Sequence, residues 1–301
     1  MKVGLVLAGG GIKGIAHAGV LQALEENGIS IDVIGGTSSG SLVAALYAIG
    51  YSAKEILYIF KKYSRDIVGI KKKNIVKAIQ SIIVGKKLET KGLSTGEKLE
   101  KIFNKLAIEK KCKNIQDIKN IIISIPALNL NKSQKCVFTN YEEHKTRNIK
   151  LVKKPKEDIQ YIDNIEISKA VRASSSFPGV FEPYKYKECL FLDGGAVDNV
   201  PVEEIRKCGV DKIMTVNFEE DNLKEECNII DIATKTIDIM CDIMNKKNIE
   251  QSDVCIQVNT NNTGLLDVKR IDDCYIAGYS ATINKIEEIR FILNNDKEEI
   301  V

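Results

Sequence analysis

Three short runs of residues have the types and spacing needed to set a hydroxyl against a carbonyl carbon. Gly36-Thr37-Ser38-Ser39-Gly40 is a G-x-S-x-G pentapeptide. A serine flanked this way, at a turn from strand to helix, stands exposed on a strained backbone and can act as a nucleophile. The same residues also describe a helix N-cap serine in a glycine-rich turn. Ser39 and Ser41 lack the symmetric glycine flanks. The second run is Gly9-Gly10-Gly11-Ile12-Lys13-Gly14. Consecutive glycines ahead of a helix turn backbone N–H groups toward a developing negative charge, helped by the helix dipole. Lys13 sits at the rim of that loop, as a phosphate contact or as a solvated lysine. The third run is Phe191-Leu192-Asp193-Gly194-Gly195. Here an apolar strand delivers an aspartate, and two glycines leave room for another backbone. Burial would raise the aspartate's pKa and make it a better base. The plainer reading is an Asp-Gly turn between strands.

Rival chemistries are weaker. Gly9, Gly11 and Gly14 also fit G-x-G-x-x-G, the dinucleotide fingerprint. That site expects an acid about 20 residues on, at the far end of the second strand. Asp32 has the distance but opens its strand. A P-loop needs Lys-Ser/Thr after its last glycine, and Ile15-Ala16 stand there instead. A Ser–Asp–His triad needs a histidine after the aspartate. The two histidines, His17 and His144, both precede Asp193. His17 lies on an apolar helix as a structural residue, and His144 lies among charged neighbours. A carboxylate base is therefore expected, and no metal: the eight cysteines form no Cys-x-x-Cys pair.

These runs must be positioned by regular elements. The pattern predicts a strand at Val3–Ala8, a helix at Ile15–Glu26, a strand at Ile31–Ile34, a turn at Gly35–Gly40 and a helix at Ser41–Ile49. This is the rhythm of a sheet with crossover helices. Amphipathic helices are expected around Ile56–Tyr63, Ile75–Ile83, Leu99–Leu106 and Ile237–Met244, and a last one at Ile283–Leu293. Further strands are expected at Ile121–Ile125, Lys135–Thr139, Leu190–Leu192, Lys212–Asn217 and Val254–Val258. The 301 residues, 44% hydrophobic and 28% charged, show no repeat or linker. One domain over 1–301 is expected, with core motifs in 1–220, a helical insert at about 54–112, and C-terminal helices and a strand at 228–295.

No apolar run approaches the roughly 20 residues that span a bilayer. A secretory signal is the rival reading of the N-terminus, but its apolar core is short and runs into glycines. Scattered cysteines in apolar segments fit reduced core residues, so a cytoplasmic protein is expected, peripheral at the membrane if anywhere. Net charge is only +3, yet Lys61 to Lys113 holds 16 Lys/Arg against 5 Asp/Glu. The basic amphipathic stretch 71–87 is a candidate for transient contact with an anionic membrane. A solvated helix with its apolar side in the core is the alternative. Nothing supports nucleic-acid binding.

Taken together, Gly9–Gly14, Gly36–Gly40 and Asp193–Gly195 resemble the patatin-like phospholipases in order, spacing and context. Arg172-Ala173-Ser174-Ser175-Ser176-Phe177-Pro178-Gly179-Val180-Phe181 and Asp198-Asn199-Val200-Pro201-Val202 are similar to segments of the family's bacterial members, on either side of the aspartate. The resemblance implies a three-layer α/β/α fold with a central, mostly parallel sheet. It implies a Ser–Asp dyad in which Ser38 attacks an acyl carbonyl and Asp193 takes its proton. The oxyanion would be held by backbone N–H groups of Gly9, Gly10 and Gly11, with one at Ser39; Lys13, Gly14, Gly36, Gly40, Gly194 and Gly195 would support the site. The implied activity is hydrolysis of (lyso)phospholipids or related acyl esters, with no cofactor. An acyltransferase would use the same residues, and a non-catalytic lipid-binding protein is the other alternative. Residues 54–112 resemble the family least.

Overall fold

The computed structural model describes residues 1–68, 92–142, 159–219 and 229–295. The basic stretch at 71–87, the expected helix at Ile75–Ile83 and His144 lie outside these residues. The strands are β1 (Val3–Leu7), β2 (Val33–Gly36), β3 (Ile122–Asn129), β4 (Gln134–Thr139), β5 (Gln160–Ile162), β6 (Tyr184–Tyr186), β7 (Cys189–Asp193), β8 (Lys212–Phe218) and β9 (Val254–Val258). The helices are α1 (Ala16–Glu26), α2 (Ser39–Ala48), α3 (Ala53–Val68), α4 (Glu97–Glu109), α5 (Ile167–Ser174), α6 (Val202–Arg206), α7 (Ile229–Glu250), α8 (Ile271–Asn284) and α9 (Ile286–Asn294).

One sheet runs β5-β4-β3-β2-β1-β8-β9. β1 lies between β2 and β8, parallel to both, and β2–β3, β4–β5 and β8–β9 are also parallel. Every residue of β1 and β8 is buried. That is why β1 reads as a near-continuous apolar run: helices cover the two faces of a parallel sheet. The result is the expected three-layer α/β/α architecture with a mostly parallel sheet.

β3 departs from the parallel pattern, and the departure builds the site. On one edge β3 pairs antiparallel with β4. On the other, β2 takes Ile122–Ser124 in parallel and β7 takes Ala127–Asn129 antiparallel. The C-terminal ends of β2 and β7 therefore face each other along the same edge, at Pro126. The residue after β2 is Thr37, then Ser38; the last residue of β7 is Asp193. Gly194 is needed there, because a Cβ would collide with the Pro126 carbonyl.

Several boundaries differ from the sequence reading. β2 is Val33–Gly36 rather than Ile31–Ile34, because Gly35 and Gly36 pair with Val6 and Leu7 of β1. The pairing admits them because a Cβ at Gly35 would strike Ile205 of α6. β3 continues past Ile125 through Pro126, which sits where the partner on one edge changes from parallel β2 to antiparallel β7. The expected last helix Ile283–Leu293 is α9, Ile286–Asn294, and a separate helix α8 ends just before it at Asn284. Gly11–Ile15 forms a 3-10 turn before α1.

A buried ion cluster ties β4 to the segment after β7. Lys135 Nζ lies 2.9 Å from Asp198 Oδ2 and 2.8 Å from Glu204 Oε1. Tyr161 donates to Glu204 Oε2 at 2.9 Å. Burial works against the Lys135 charge, but the two carboxylates outweigh it and hold its pKa above the usual lysine value.

The C-terminal part is joined to the core by close backbone contact. α8 crosses α1 where a Cβ on Gly278 would collide with the Ala16 backbone, and one on Gly19 with the Tyr275 carbonyl. Gly278→Ala is expected to push these helices apart at a cost of about 1–3 kcal/mol. A thermal melt reads this as a drop of several degrees, and an unchanged midpoint would show that the crossing does not bear on stability.

Candidate active site

Ser38 follows β2 with φ 53° and ψ −120°, a conformation that non-glycine residues rarely adopt. The flanking glycines make the turn sterically allowed. A Cβ on Gly36 would collide with the backbone of Gly40, and one on Gly40 with the carbonyls of Leu7 and Ala8. The strain is held by hydrogen bonds. Ser38 N donates to Ser174 Oγ at 3.2 Å, and Ser38 O accepts from Ser41 Oγ at 2.6 Å. Thr37 Oγ1 donates to the Asp198 carbonyl at 2.8 Å. Ser39 opens α2, so its N–H faces the side of Ser38 with no intrahelical acceptor.

Asp193 is 2% exposed. Its Oδ1 accepts from Gly195 N at 2.8 Å. Its Oδ2 is buried without a hydrogen bond among the described residues. Desolvation raises the carboxyl to about 6, against the pull of the Gly195 N–H and the nearby Ser38 hydroxyl. Its main chain is fixed as well, since Asp193 N donates to Ser176 O at 3.1 Å.

One segment, Ser174–Ser176 at the end of α5, thus touches both side-chain bearers: Ser174 the nucleophile candidate and Ser176 the base candidate. Arg172, 1% exposed, anchors it. Its Nη1 donates to Ser176 Oγ at 2.6 Å, and its Nη2 donates to the carbonyls of Thr95 and Glu182 at 2.7 and 2.8 Å. Its guanidinium lies over the rings of Phe181 and Tyr184. Gly96 leaves room for it.

The glycine loop is less uniform than its sequence suggests. Gly9 N donates to Asn199 Oδ1 at 2.9 Å, which takes Gly9 out of the expected set of oxyanion donors. Asn199 reaches it because the Lys135 cluster holds the adjacent Asp198. Gly10 N donates to Ser39 Oγ at 3.1 Å, so it is free only if that side chain turns. Gly11, at φ +61°, and Ser39 keep N–H groups without acceptors among the described residues. Gly14 is required because a Cβ there would collide with Ser39. Lys13 lies over the Phe218 ring, 5.5 Å from its centroid.

Ser38, Ser39, Asp193, Gly195 and Gly9–Lys13 all border one cavity of about 350 Å³. Much of its lining is apolar, with Leu42, Phe60, Leu99, Val180 and Phe181 among the residues that form it. His17 is fully buried, bonded through Nε2 to the Ala8 carbonyl at 2.8 Å, and burial lowers its pKa to about 4. It is a neutral packing residue outside the cavity lining. Asp32 accepts from Val3 N, at the opposite end of the sheet from the glycine loop, which removes the dinucleotide reading. Among the described residues no cluster of three or more His, Cys, Asp or Glu side chains is placed to hold a metal.

The sequence reading assigned no role to Asn199, Ser174 or Arg172. The signals were present, in the polar runs before and after Asp193, but which backbone groups they reach depends on the tertiary fold.

The patatin-like phospholipase family model matches residues 5–206. The chain belongs to this family. It is 30% identical over 217 residues to the lysophospholipase NTE1 of Candida albicans, covering 71% of this chain and 13% of that protein. For the lysophospholipase NTE1 of Saccharomyces cerevisiae the identity is 32% over 216 residues, covering 71% and 11%. The match thus spans little more than a tenth of these relatives' length. Among solved structures, VipD from Legionella pneumophila shares the fold with a TM-score of 0.51 at 17% identity, covering 95% of this chain and 67% of that one.

Because the charged form of Asp193 is penalised by burial, its ionisation costs stability. The penalty is absent below about pH 4, grows as pH rises toward 6, and is complete above that. Asp193→Asn is therefore expected to be more stable than wild type at pH 8 by about 1–3 kcal/mol, with the gain vanishing near pH 4. Urea unfolding at the two pH values measures it; equal stability at pH 8 would show that burial does not strain the carboxylate.

Proposed function

We propose that this patatin-like chain is a lipid acyl hydrolase that cleaves carboxylic esters through a Ser38–Asp193 dyad. The observation that carries the reading is the pairing of a strained serine at a helix N-terminus with a buried carboxylate whose Oδ2 has no partner, at the mouth of an apolar cavity. The substrate's acyl chain lies in the cavity and its carbonyl carbon at Ser38. As Ser38 Oγ bonds to that carbon, Asp193 Oδ2 accepts the hydroxyl proton. The carbonyl oxygen becomes an oxyanion held by the N–H groups of Gly11 and Ser39, joined by Gly10 when Ser39 Oγ turns away. The dipole of α2 favours the same charge. Collapse expels the alcohol, which takes the proton back from Asp193. Water then attacks the acyl-Ser38 ester with Asp193 again as base, releasing the fatty acid and restoring the serine.

The name of the fungal relatives, lysophospholipase, makes single-chain phospholipids the first substrates to try. A cavity of about 350 Å³ suits one acyl chain.

A fluorophosphonate should add to the wild type and not to Ser38→Ala, read by intact mass. Asp193→Asn should slow hydrolysis roughly 10²–10⁴-fold. With the base near pKa 6, the wild-type rate should rise with pH through about 6 and level off above it. Unchanged labelling of Ser38→Ala, or a rate that falls across that range, would refute the dyad.

A further inference from the structure

Asn199 is held in one orientation by a group that can only donate. Gly9 N reaches its Oδ1 at 2.9 Å. A backbone N–H cannot accept, so the carboxamide cannot turn over without breaking that bond. Nδ2 therefore stands at the other end of the amide with two hydrogens to give. No group among the described residues accepts them. The amide lies beside both partners of the dyad. A Cβ on Gly9 would strike Asn199 Oδ1 and sit 3.2 Å from Ser38 Cβ. One on Gly195 would sit 3.3 Å from Asn199 Oδ1 and 3.1 Å from Asp193 Oδ1. Asn199, Ser38, Asp193 and Gly195 line the same cavity. Both neighbours of Asn199 are fixed. Asp198 accepts from Thr37 Oγ1 through its carbonyl and from Lys135 Nζ through its carboxylate. The Val200 carbonyl accepts from Asn248 Nδ2 at 3.2 Å. The cavity thus presents an unpaired donor at Asn199 Nδ2 and an unpaired acceptor at Asp193 Oδ2, with Ser38 beside both.

We propose that Asn199 is a catalytic residue of deacylation, its Nδ2 holding the water that attacks the acyl-Ser38 ester. The inference rests on the lipid-hydrolase reading and supplies a residue for its second half. Water needs orienting as well as deprotonating, because it arrives with two protons, two lone pairs and no tether. Asn199 Nδ2–H takes one lone pair and Asp193 Oδ2 takes one proton, which leaves the other lone pair for the acyl carbon. The water oxygen bonds to that carbon as its proton passes to Asp193. The intermediate then collapses: the bond from the carbon to Ser38 Oγ breaks, Oγ takes the proton back from Asp193, and the free acid leaves. The oxyanion donors do not orient the water, since Gly11 N and Ser39 N serve the carbonyl oxygen. Ser175 Oγ, also on the cavity wall, spends its hydrogen on the Ser38 carbonyl at 3.4 Å. By microscopic reversibility the alcohol oxygen expelled in the first half passes through the same place. The donor therefore also meets a poor leaving group on its way out, whereas a p-nitrophenolate leaves without that help.

The test separates this role from the hold on Gly9. Full-length protein is acylated with p-nitrophenyl butyrate, and growth of the Ser38 adduct, then its loss after substrate is removed, are followed by quenched intact mass. Asn199→Asp keeps an oxygen for Gly9 N and gives up the donor. The charge it adds bears on Asp193 as base in both halves alike. In this variant adduct loss should slow by about tenfold more than adduct formation, so that acyl-enzyme accumulates. Asn199→Ala carries the same expectation and serves if the charged variant does not fold by circular dichroism. An Asn199 that only steadies the glycine loop would slow both halves by one factor, because the oxyanion donors serve both. That result, or adduct loss as fast as in the wild type, would overturn the proposal while leaving the dyad in place. A wild type that forms no adduct at Ser38 would instead overturn the hydrolase reading, and this proposal with it.

Discussion

The meeting of two strand ends on one edge of β3 is the constraint on which the rest of the site depends. β2 and β7 approach each other head-on at Pro126, so the residues that leave their C-terminal ends share a small volume. No side chain as large as a methyl group fits at Gly36, Gly40 or Gly194, because at each the facing atoms are backbone. The glycines in the two motifs thus serve one purpose: they let three stretches of main chain come within contact distance, with Ser38 on one and Asp193 on another.

Holding that volume in shape requires polar groups that the chemistry itself does not use. Arg172 spends its guanidinium on two carbonyls and Ser176, and through the Ser174–Ser176 segment it fixes the main chain of both Ser38 and Asp193. The Lys135–Asp198–Glu204 cluster does the equivalent for Asn199 and hence for Gly9. Buried charges of this kind are poor sources of net stability but costly to break, and they admit few alternative arrangements. Against that rigid frame, Asp193 Oδ2 is left without a partner in a dry setting. The resulting rise in pKa weakens the fold slightly and makes the carboxylate a stronger base, a trade common at reactive sites.

The cavity extends this logic outward. Its apolar walls come from α3, α4, the Phe177–Phe181 segment and α7, elements distant in sequence that converge above the C-terminal ends of the parallel strands. Ligands of open α/β sheets gather at that end because the connecting loops there lie apart. On α7 the apolar surface does not stop at the cavity, for Ile239 and Ile243 of the same helix are exposed.

The local geometry of the candidate site was legible in the sequence to the extent that it depends on local spacing. Glycines around a serine, glycines before a helix and an aspartate closing an apolar strand each imply a backbone geometry that needs few residues to specify. Burial on both faces made β1 readable as an unbroken apolar run. What depends on a partner far along the chain was not legible. Gly35 and Gly36 read as a turn by propensity, yet they extend β2 because β1 and Ile205 accept only glycine there. Gly9 read as an oxyanion donor, yet Asn199 claims its N–H. Local sequence determined which residue types stand at strand ends and which backbones can bend. Only the tertiary structure decided which hydrogen bonds those backbones make, because the acceptors and the space around them come from segments up to 190 residues away.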